Sequence, residues 1–423
     1  MYIVDNFING AANNVSDDSS LIIDPSYGKD IGKVLYATTD SADLAIESAK
    51  QAFDNWSQTG LSYRAELILK FRQGVIDRSS EIIGICTTEA GKTRPDAEAE
   101  LDRAIQALTN ASAVQHFYPS HLSPNVAGGI DIADRRYPIG VIAGVGPFNF
   151  PILIPILHSA MALVTGNTYI AKPSEKVPSI SRLYGDIYKE SGLPDGCYNV
   201  VNGSKEIVEH LVCHKDIAGL AFIGSTGAAR SLKMLGVEHN TKVQALGGGK
   251  NHMIVLPDAD LDMSADAAVS ASFGAAGQRC MAVSVVVAVG DIADDLINKI
   301  KERMPNLIMG TTDNNDTQLG PVISMENKQR IYSFIDTAES EGATLSVDGR
   351  KLSDGKEGCF VGPTLIDNVK PGMSVYENEI FGPVLSFVRA KTYEEAMAIT
   401  HGHKLGNGAA LFTRDGGVAQ KWA

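Results

Sequence analysis

Between residues 43 and 56 apolar side chains recur at offsets of three and four. Asp43-Leu-Ala-Ile-Glu-Ser-Ala-Lys-Gln-Ala-Phe-Asp-Asn-Trp56 sets Leu44, Ala45, Ala49, Ala52, Phe53 and Trp56 toward one side, and this spacing predicts an amphipathic helix. From about residue 140 the period changes. Short runs rich in β-branched residues, each closed by Gly, Pro, Ser, Lys or Asn, follow one another at 140–144, 167–172, 198–202, 220–224 and 252–256. The intervals between them hold one helix each. The pattern therefore predicts an α/β chain with a mostly parallel sheet and helices on both faces. Ligands of such sheets bind at the carboxyl ends of the strands, which directs attention to the polar residues that follow each run.

Composition narrows the class. A chain of 423 residues, 44% hydrophobic and 21% charged, is globular and long enough for two or three domains. Its net charge of −13 argues against nucleic acid or another polyanion as the main partner. Cys86, Cys197, Cys213, Cys280 and Cys359 are odd in number, scattered and without any C-x-x-C pair, so neither a disulfide framework nor a metal site is expected. The opening Met1-Tyr-Ile-Val-Asp-Asn-Phe lacks a basic-then-apolar leader and no apolar run reaches membrane-spanning length. A soluble, cytoplasmic protein without a membrane partner is expected.

Two stretches invite a chemical reading. Ala90-Gly-Lys-Thr93 looks like the end of a phosphate-binding loop, but Gly84 stands too far before Gly91 and a helical pattern precedes it, so a turn that ends a helix is expected. Phe273-Gly-Ala-Ala-Gly-Gln-Arg-Cys-Met-Ala282 is different. A lone cysteine is ordinarily a small buried hydrophobe, yet here Arg279 precedes Cys280, where a cation favours thiolate, and the glycine-rich approach admits substrate and backbone amides. His252 is the nearest histidine, behind a separate Gly-rich turn, so a cysteine–histidine protease is weakly supported.

A longer series then comes into view. Pro147-Phe-Asn-Phe-Pro151, Gly166-Asn-Thr168, Lys172-Pro-Ser-Glu175, Leu193-Pro-Asp-Gly196, Phe222-Ile-Gly-Ser-Thr226, Leu246-Gly-Gly248, Gly277-Gln-Arg-Cys280 and Glu379-Ile-Phe-Gly-Pro383 follow in order over nearly the whole chain. The series resembles the NAD(P)-dependent aldehyde dehydrogenase superfamily. The likeness is strongest to its coenzyme A-acylating, methylmalonate-semialdehyde branch, through Val243-Gln-Ala-Leu-Gly-Gly-Gly-Lys-Asn-His252, Arg279-Cys-Met-Ala282 and the stretch from Leu405 to Gly417.

The resemblance implies a Rossmann-type NAD-binding domain at 1–121 and 139–246, an oligomerisation segment at 122–138 and an α/β catalytic domain at 247–423. It implies that Cys280 attacks the aldehyde as thiolate and that the Asn149 side chain and the Cys280 backbone N–H hold the resulting oxyanion. For NAD it implies Gly146 and Phe148 beside the nicotinamide half, Lys172, Glu175 and Lys176 at the adenosine ribose, and Ser225 at the pyrophosphate, on a helix N-terminus. It implies Gly247 close to the nicotinamide and Glu379 accepting from the nicotinamide ribose hydroxyls. Arg103 and Arg279 resemble the pair that holds a substrate carboxylate, for which a planar fork is suited.

Three departures qualify the picture. Hydrolytic members carry a glutamate before Leu-Gly-Gly, the base that activates water, whereas this chain has Ala245. A thioacyl enzyme without that base is expected to leave on a thiol, with coenzyme A as co-substrate. Ala229 stands where many relatives carry a second glycine near the pyrophosphate. Members of the superfamily also continue beyond the equivalent of Gly417, so the catalytic domain is expected to be incomplete at its carboxyl end. The full-length protein would be a homodimer or homotetramer. The expected activity is oxidation of malonate or methylmalonate semialdehyde to acetyl- or propionyl-coenzyme A, with CO2 and NADH. A hydrolytic aldehyde dehydrogenase and an inactive truncated homologue stay as alternatives, and the preference for NAD over NADP stays open.

Overall fold

The structure is a computed structural model that describes residues 1–117 and 119–423. The chain packs into two compact units. The first comprises Met1–Ile23, Asp30–Ala90 and Ala97–Gly247; the second comprises Asp24–Lys29, Gly91–Asp96 and Gly248–Ala423.

The first unit is built on a seven-stranded sheet in the order Lys242–Leu246, Ile217–Ile223, Val141–Val145, Thr168–Lys172, Tyr198–Val200, Asn6–Ile8, Ala11–Asn13. The first five strands run parallel and the last two join antiparallel. Helices Leu153–Val164, Ser179–Glu190, Lys205–Cys213 and Thr226–Glu238 make the crossovers that parallel pairing requires. Ala143, Ile170 and Val200 are wholly buried at its centre. The amphipathic helix runs Thr39–Trp56, its first turn capped by the Thr38 hydroxyl accepting from the Ser41 N–H. Its buried face is Ala42, Ala45, Ile46, Ala49 and Trp56, whereas Leu44, expected on that face, is 58% exposed. At 100° per residue Leu44 lies about 200° round from Ala42, on the solvent side.

The second unit holds a six-stranded sheet in the order Thr344–Val347, Thr364–Asp367, Val384–Ala390, Val283–Val289, Asn251–Val255, Ala409–Phe412, parallel except for its first pair. Its central strand, Val-Ser-Val-Val-Val-Ala-Val, is shared alternately by two cores. Val285, Val287 and Val289 pack with Ile331, Ile335 and Val361, while Val286 and Ala288 pack with Ala268, Leu296 and Phe387. A strand buried on both faces has no polar face to alternate with, hence the near-continuous valine run.

Segments 24–29 and 91–96 belong to the second unit, although their place in the sequence suggests the first. Their hydrogen bonds explain it. Pro25 O accepts from Cys359 N–H at 2.8 Å, and Ser26 Oγ lies 3.1 Å from Thr312 Oγ1. Gly91, at φ +67°, closes against Pro321 and Pro25, and a Cβ there would come within 2.9 Å of Pro321. This is the turn after helix Ser79–Ala90 that the AGKT stretch predicts. Strands His121–Ala127 and Ile130–Asp134 pair as a hairpin whose residues are all exposed, among them Leu122, Val126, Ile130 and Ile132. No helix among the described residues is long and apolar enough to cross a membrane.

Candidate active site

The residues expected to meet the cofactor lie along the carboxyl edge of the first unit's parallel strands. Gly146, Phe148 and Asn149 follow Val141–Val145, Lys172 ends Thr168–Lys172 with Glu175 and Lys176 just after it, Ser225 follows Ile217–Ile223, and Gly247 follows Lys242–Leu246. The edge is tied together by its own backbone: Gly146 N–H donates to Lys172 O at 3.0 Å and Gly224 N–H to Leu246 O at 3.1 Å. Asn149 is buried at 7% exposure. The segment that carries it is anchored by Glu100, a buried carboxylate accepting from Ile152 N–H and Leu153 N–H, both at 2.8 Å, at the start of helix Leu153–Val164. A carboxylate there also meets the positive end of the helix dipole. Glu100 is therefore engaged by backbone rather than by its neighbour Arg103.

Lys172 is 6% exposed, and burial depresses its pKa below that of an ordinary lysine while Glu175 partly restores it. Its ammonium stands 3.6 Å from Glu175. Lys176 is half-buried, its N–H on Ser174 Oγ at 3.3 Å. Ser225 caps helix Thr226–Glu238 by accepting from Ala228 N–H at 3.4 Å and is itself exposed. Gly247 passes close to Thr226, 3.1 Å from its would-be Cβ. Ala245 is half-buried within its strand, paired with Phe222.

In the second unit the chemistry-bearing residues lie before the strands. Cys280 precedes Val283–Val289, Glu379 precedes Val384–Ala390, Asn251 begins Asn251–Val255 and Asn407 precedes Ala409–Phe412. One cleft brings Cys280, Arg279, Glu379, Gly249 and Asn251 together. Cys280 is the exposed member of five cysteines, none of which forms a disulfide; Cys86, Cys197 and Cys359 are buried and Cys213 is half-buried. The approach to it is strained: Ala275, Ala276 and Gly277 have φ of +50°, +52° and +69°. A Cβ at Gly277 would fall 2.2 Å from Gly382 O, so only glycine fits.

Partial burial pushes the Cys280 thiol pKa up from its ordinary value, the backbone N–H groups of Cys280 and Met281 pull it down, Glu379 raises it and the Lys92 ammonium lowers it. Lys92 is the cation among these pulls. The Arg279 guanidinium, expected to favour the thiolate, is turned to the Asp96 carboxylate.

Glu379 is half-buried, accepts from Gly249 N–H at 3.1 Å, and has its pKa raised by desolvation against opposing pulls from that N–H, Lys250 and Arg330. Lys250 is 1% exposed and gives its ammonium to Val375 O at 2.7 Å and Asn378 O at 2.8 Å, tethering the loop that carries Glu379. Burial takes its pKa down to about 7. His252 is buried against Tyr376 Oη and Lys250 O, its pKa driven down to about 4 by desolvation, and it is not part of the cleft wall. Arg103 is exposed on helix Arg94–Ser112 and, among the described residues, forms no ion pair with Glu98, Glu100 or Asp102.

Glu100, Lys92, Lys250, Asn251 and Asn407 do not stand out in the sequence as functional. Polar residues inside an otherwise glycine-rich motif, as Lys250 and Asn251 are in Leu-Gly-Gly-Gly-Lys-Asn, are the available signal. Nothing in a single sequence marks Glu100 as buried.

An exposed cysteine held on a strained turn, with a carboxylate in the same cleft, and a parallel sheet whose carboxyl edge carries a buried lysine and a helix N-terminus, agree with what comparison with known proteins shows. The model of the aldehyde dehydrogenase family matches residues 13–423. Malonate-semialdehyde dehydrogenase 3 of Geobacillus kaustophilus is 39% identical over 410 residues, 96% of this chain and 85% of that protein. Among solved structures, methylmalonate-semialdehyde dehydrogenase from Oceanimonas doudoroffii superposes with a TM-score of 0.98 at 38% identity, over 100% of this chain and 87% of that one. A putative methylmalonate-semialdehyde dehydrogenase from Sinorhizobium meliloti, complexed with NAD, gives 0.97 at 40% identity with the same coverage. With the family model spanning nearly the whole chain and these relatives alike in sequence and fold, the chain belongs to the aldehyde dehydrogenase family.

Proposed function

We propose that this chain is an NAD-dependent, coenzyme A-acylating dehydrogenase of malonate or methylmalonate semialdehyde. The observation that carries the reading is the setting of Cys280: an exposed thiol on a braced turn, sharing its cleft with an arginine that has donors to offer a carboxylate. The named relatives above support the substrate class.

The first unit's residues fit NAD. Lys172 keeps a buried ammonium 3.6 Å from Glu175 and, among the described residues, without a side-chain hydrogen bond, so a ribose hydroxyl there would gain a charge-assisted bond. Glu175 and Lys176 flank it, and Ser225 opens a thirteen-residue helix whose first N–H groups suit a pyrophosphate. Gly146 and Phe148, with Gly247 and Glu379, would serve the nicotinamide half. When bound, the cofactor supplies the hydride acceptor. We infer that the first unit is the NAD-binding domain, the second the catalytic domain, and that the exposed 122–138 hairpin is covered in a homodimer or homotetramer.

Cys280 thiolate adds to the aldehyde carbon, forming the C–S bond and leaving the carbonyl pair on oxygen. The Cys280 N–H and the Asn149 amide would hold that oxyanion. Once the substrate hydrogen has departed with its electron pair, a thioester to Cys280 remains. Ala245 has no proton acceptor, so this chain offers water no base at that position. The thiol of coenzyme A, far more acidic than water, attacks the thioester carbonyl and expels the Cys280 thiolate. The β-carboxyl group, which Arg279 and Arg103 would each be suited to hold, is lost as CO2, the thioester carbonyl taking the electron pair as an enolate that a proton from solvent quenches at carbon. A chain whose cysteines form no disulfide suits a reducing, cytoplasmic setting.

The test is NADH formation from malonate semialdehyde with and without coenzyme A. Sustained turnover only with coenzyme A is expected; equal turnover without it would favour the hydrolytic alternative.

A further inference from the structure

We propose that Asp96 is a positioning residue for substrate selection: it aims the Arg279 guanidinium and thereby sets the preference for an aldehyde that carries a carboxylate. The proposal rests on the function given above.

Asp96 is not an ordinary surface acid. Its side chain is 14% exposed, and its two oxygens are divided between two tasks. Oδ1 takes Arg279 Nη2. Oδ2 accepts from Thr93 Oγ1 at 2.9 Å and from Ala275 N–H at 3.2 Å. Thr93 Oγ1 in turn accepts from Asp96 N–H at 3.3 Å, a reciprocal arrangement that locks the Asp96 rotamer to the start of its helix. The bond to Ala275 reaches the first of the three left-handed residues leading toward Cys280. Asp96 thus joins the turn that presents the nucleophile to the arginine beside it.

Arg279 shows the other half of the arrangement. Among the described residues Asp96 is its hydrogen-bond partner, through one terminal nitrogen, and Nε and Nη1 have no protein acceptor. The side chain is 33% exposed and faces both the Cys280 cleft and an adjoining hollow lined by Asp96, Gly274 and Arg303. Gly274 makes room for it: a Cβ there would stand 2.5 Å from Nη1. A guanidinium is planar, so fixing one corner while the stem is confined fixes the direction of the remaining donors. An arginine unrestrained at that corner would spread over many rotamers, and a carboxylate would have to order it on binding. Exposed ion pairs contribute little, but this pair is part-buried and one partner is itself held at both ends.

The experiment compares malonate semialdehyde with propanal, which has the same carbon count and no carboxylate, on the full chain. Any damage to the 275–277 turn affects both aldehydes and cancels in the ratio of their kcat/KM values. Asp96→Ala is expected to lower that ratio on the order of tenfold or more, through a raised KM for the semialdehyde, since misdirected contacts of about an ångström have effects of that size. In an Arg279→Leu background the same change is expected to leave the ratio where it was, because the two residues act as one unit. Asp96→Asn, which keeps the shape and one acceptor but not the charge, is expected to fall between, and it decides the matter should thermal melting show that Asp96→Ala does not fold. Equal losses on both aldehydes would assign Asp96 to the turn alone, and a higher ratio would make it a competitor of the substrate; either overturns the proposal. A wild-type ratio no different from that of Arg279→Leu would instead overturn the proposed function, and this inference with it.

Discussion

The side-chain amide of Asn251 donates to the carbonyl oxygen of Cys280 at 2.9 Å, and Asn407 donates to the same oxygen at 2.7 Å. Both lone pairs of that carbonyl are thereby taken, and the peptide that follows Cys280 is fixed from the starts of two neighbouring strands. Asn251 also donates to Ala282 O at 2.7 Å and accepts from Gly408 N–H at 2.8 Å, so one buried amide holds three separate backbone groups.

Asn251→Ala is expected to lower stability, since each buried backbone group left without a partner costs about 1–3 kcal/mol. Turnover should fall as well, because Cys280 loses one of its two anchors. Denaturant melts alongside steady-state kinetics check both. A variant as stable and as active as wild type would mean that the clamp is idle.

Replacing Cys280 by Ala is expected to abolish dehydrogenation and leave NAD binding near wild type, since the proposed cofactor contacts belong to other residues. Calorimetry of NAD binding and an NADH assay separate the two. Cys213→Ser should be nearly silent, being half-buried at a helix end, whereas serines at Cys86, Cys197 and Cys359 test packing, not chemistry.

The Cys280 thiol is held above its ordinary pKa in the unliganded protein, with Lys92 opposing that rise. Alkylation of Cys280 by iodoacetamide should therefore still be accelerating as pH climbs past about 8.5, the usual cysteine value. Lys92→Met removes a cation that favours thiolate and should slow alkylation at any pH below the thiol's pKa. An unchanged rate would strike Lys92 from the site.

Four of the first unit's five parallel strands are legible in the sequence because each is a short β-branched run closed by a turn residue. Lys242–Leu246 is not, since Lys-Val-Gln-Ala-Leu is half-exposed at the sheet edge and runs straight into glycines. The end-of-strand rule leads to Lys172 and Ser225 but not to the second unit, where Cys280, Asn251 and Asn407 stand at strand beginnings. The direction in which Arg279 points is beyond the reach of local pattern. Its partner Asp96 lies 183 residues away, and no periodicity encodes that contact.

Glu89 is 2% exposed, holds the Tyr2 hydroxyl at 2.6 Å and the Ser179 N–H at 3.4 Å, and burial raises its pKa to about 7. The raised folded-state value means that its contribution is fully present below the ordinary carboxyl pKa and is lost as pH rises toward 7. The loss is on the order of 3 kcal/mol. Glu89→Gln keeps an acceptor for Tyr2 and removes the titration. Stability measured from pH 4.5 to 8 should decline less steeply in the variant, and parallel profiles would place the titration elsewhere.

The most direct test of the acylating reading is mass analysis of the products formed from malonate semialdehyde with NAD and coenzyme A. With Ala245 offering no base to water and Cys280 carrying the acyl group, acetyl-coenzyme A and CO2 are expected, and without coenzyme A a burst of NADH near one per subunit followed by a stall. Free malonate as the main product in the presence of coenzyme A would contradict it.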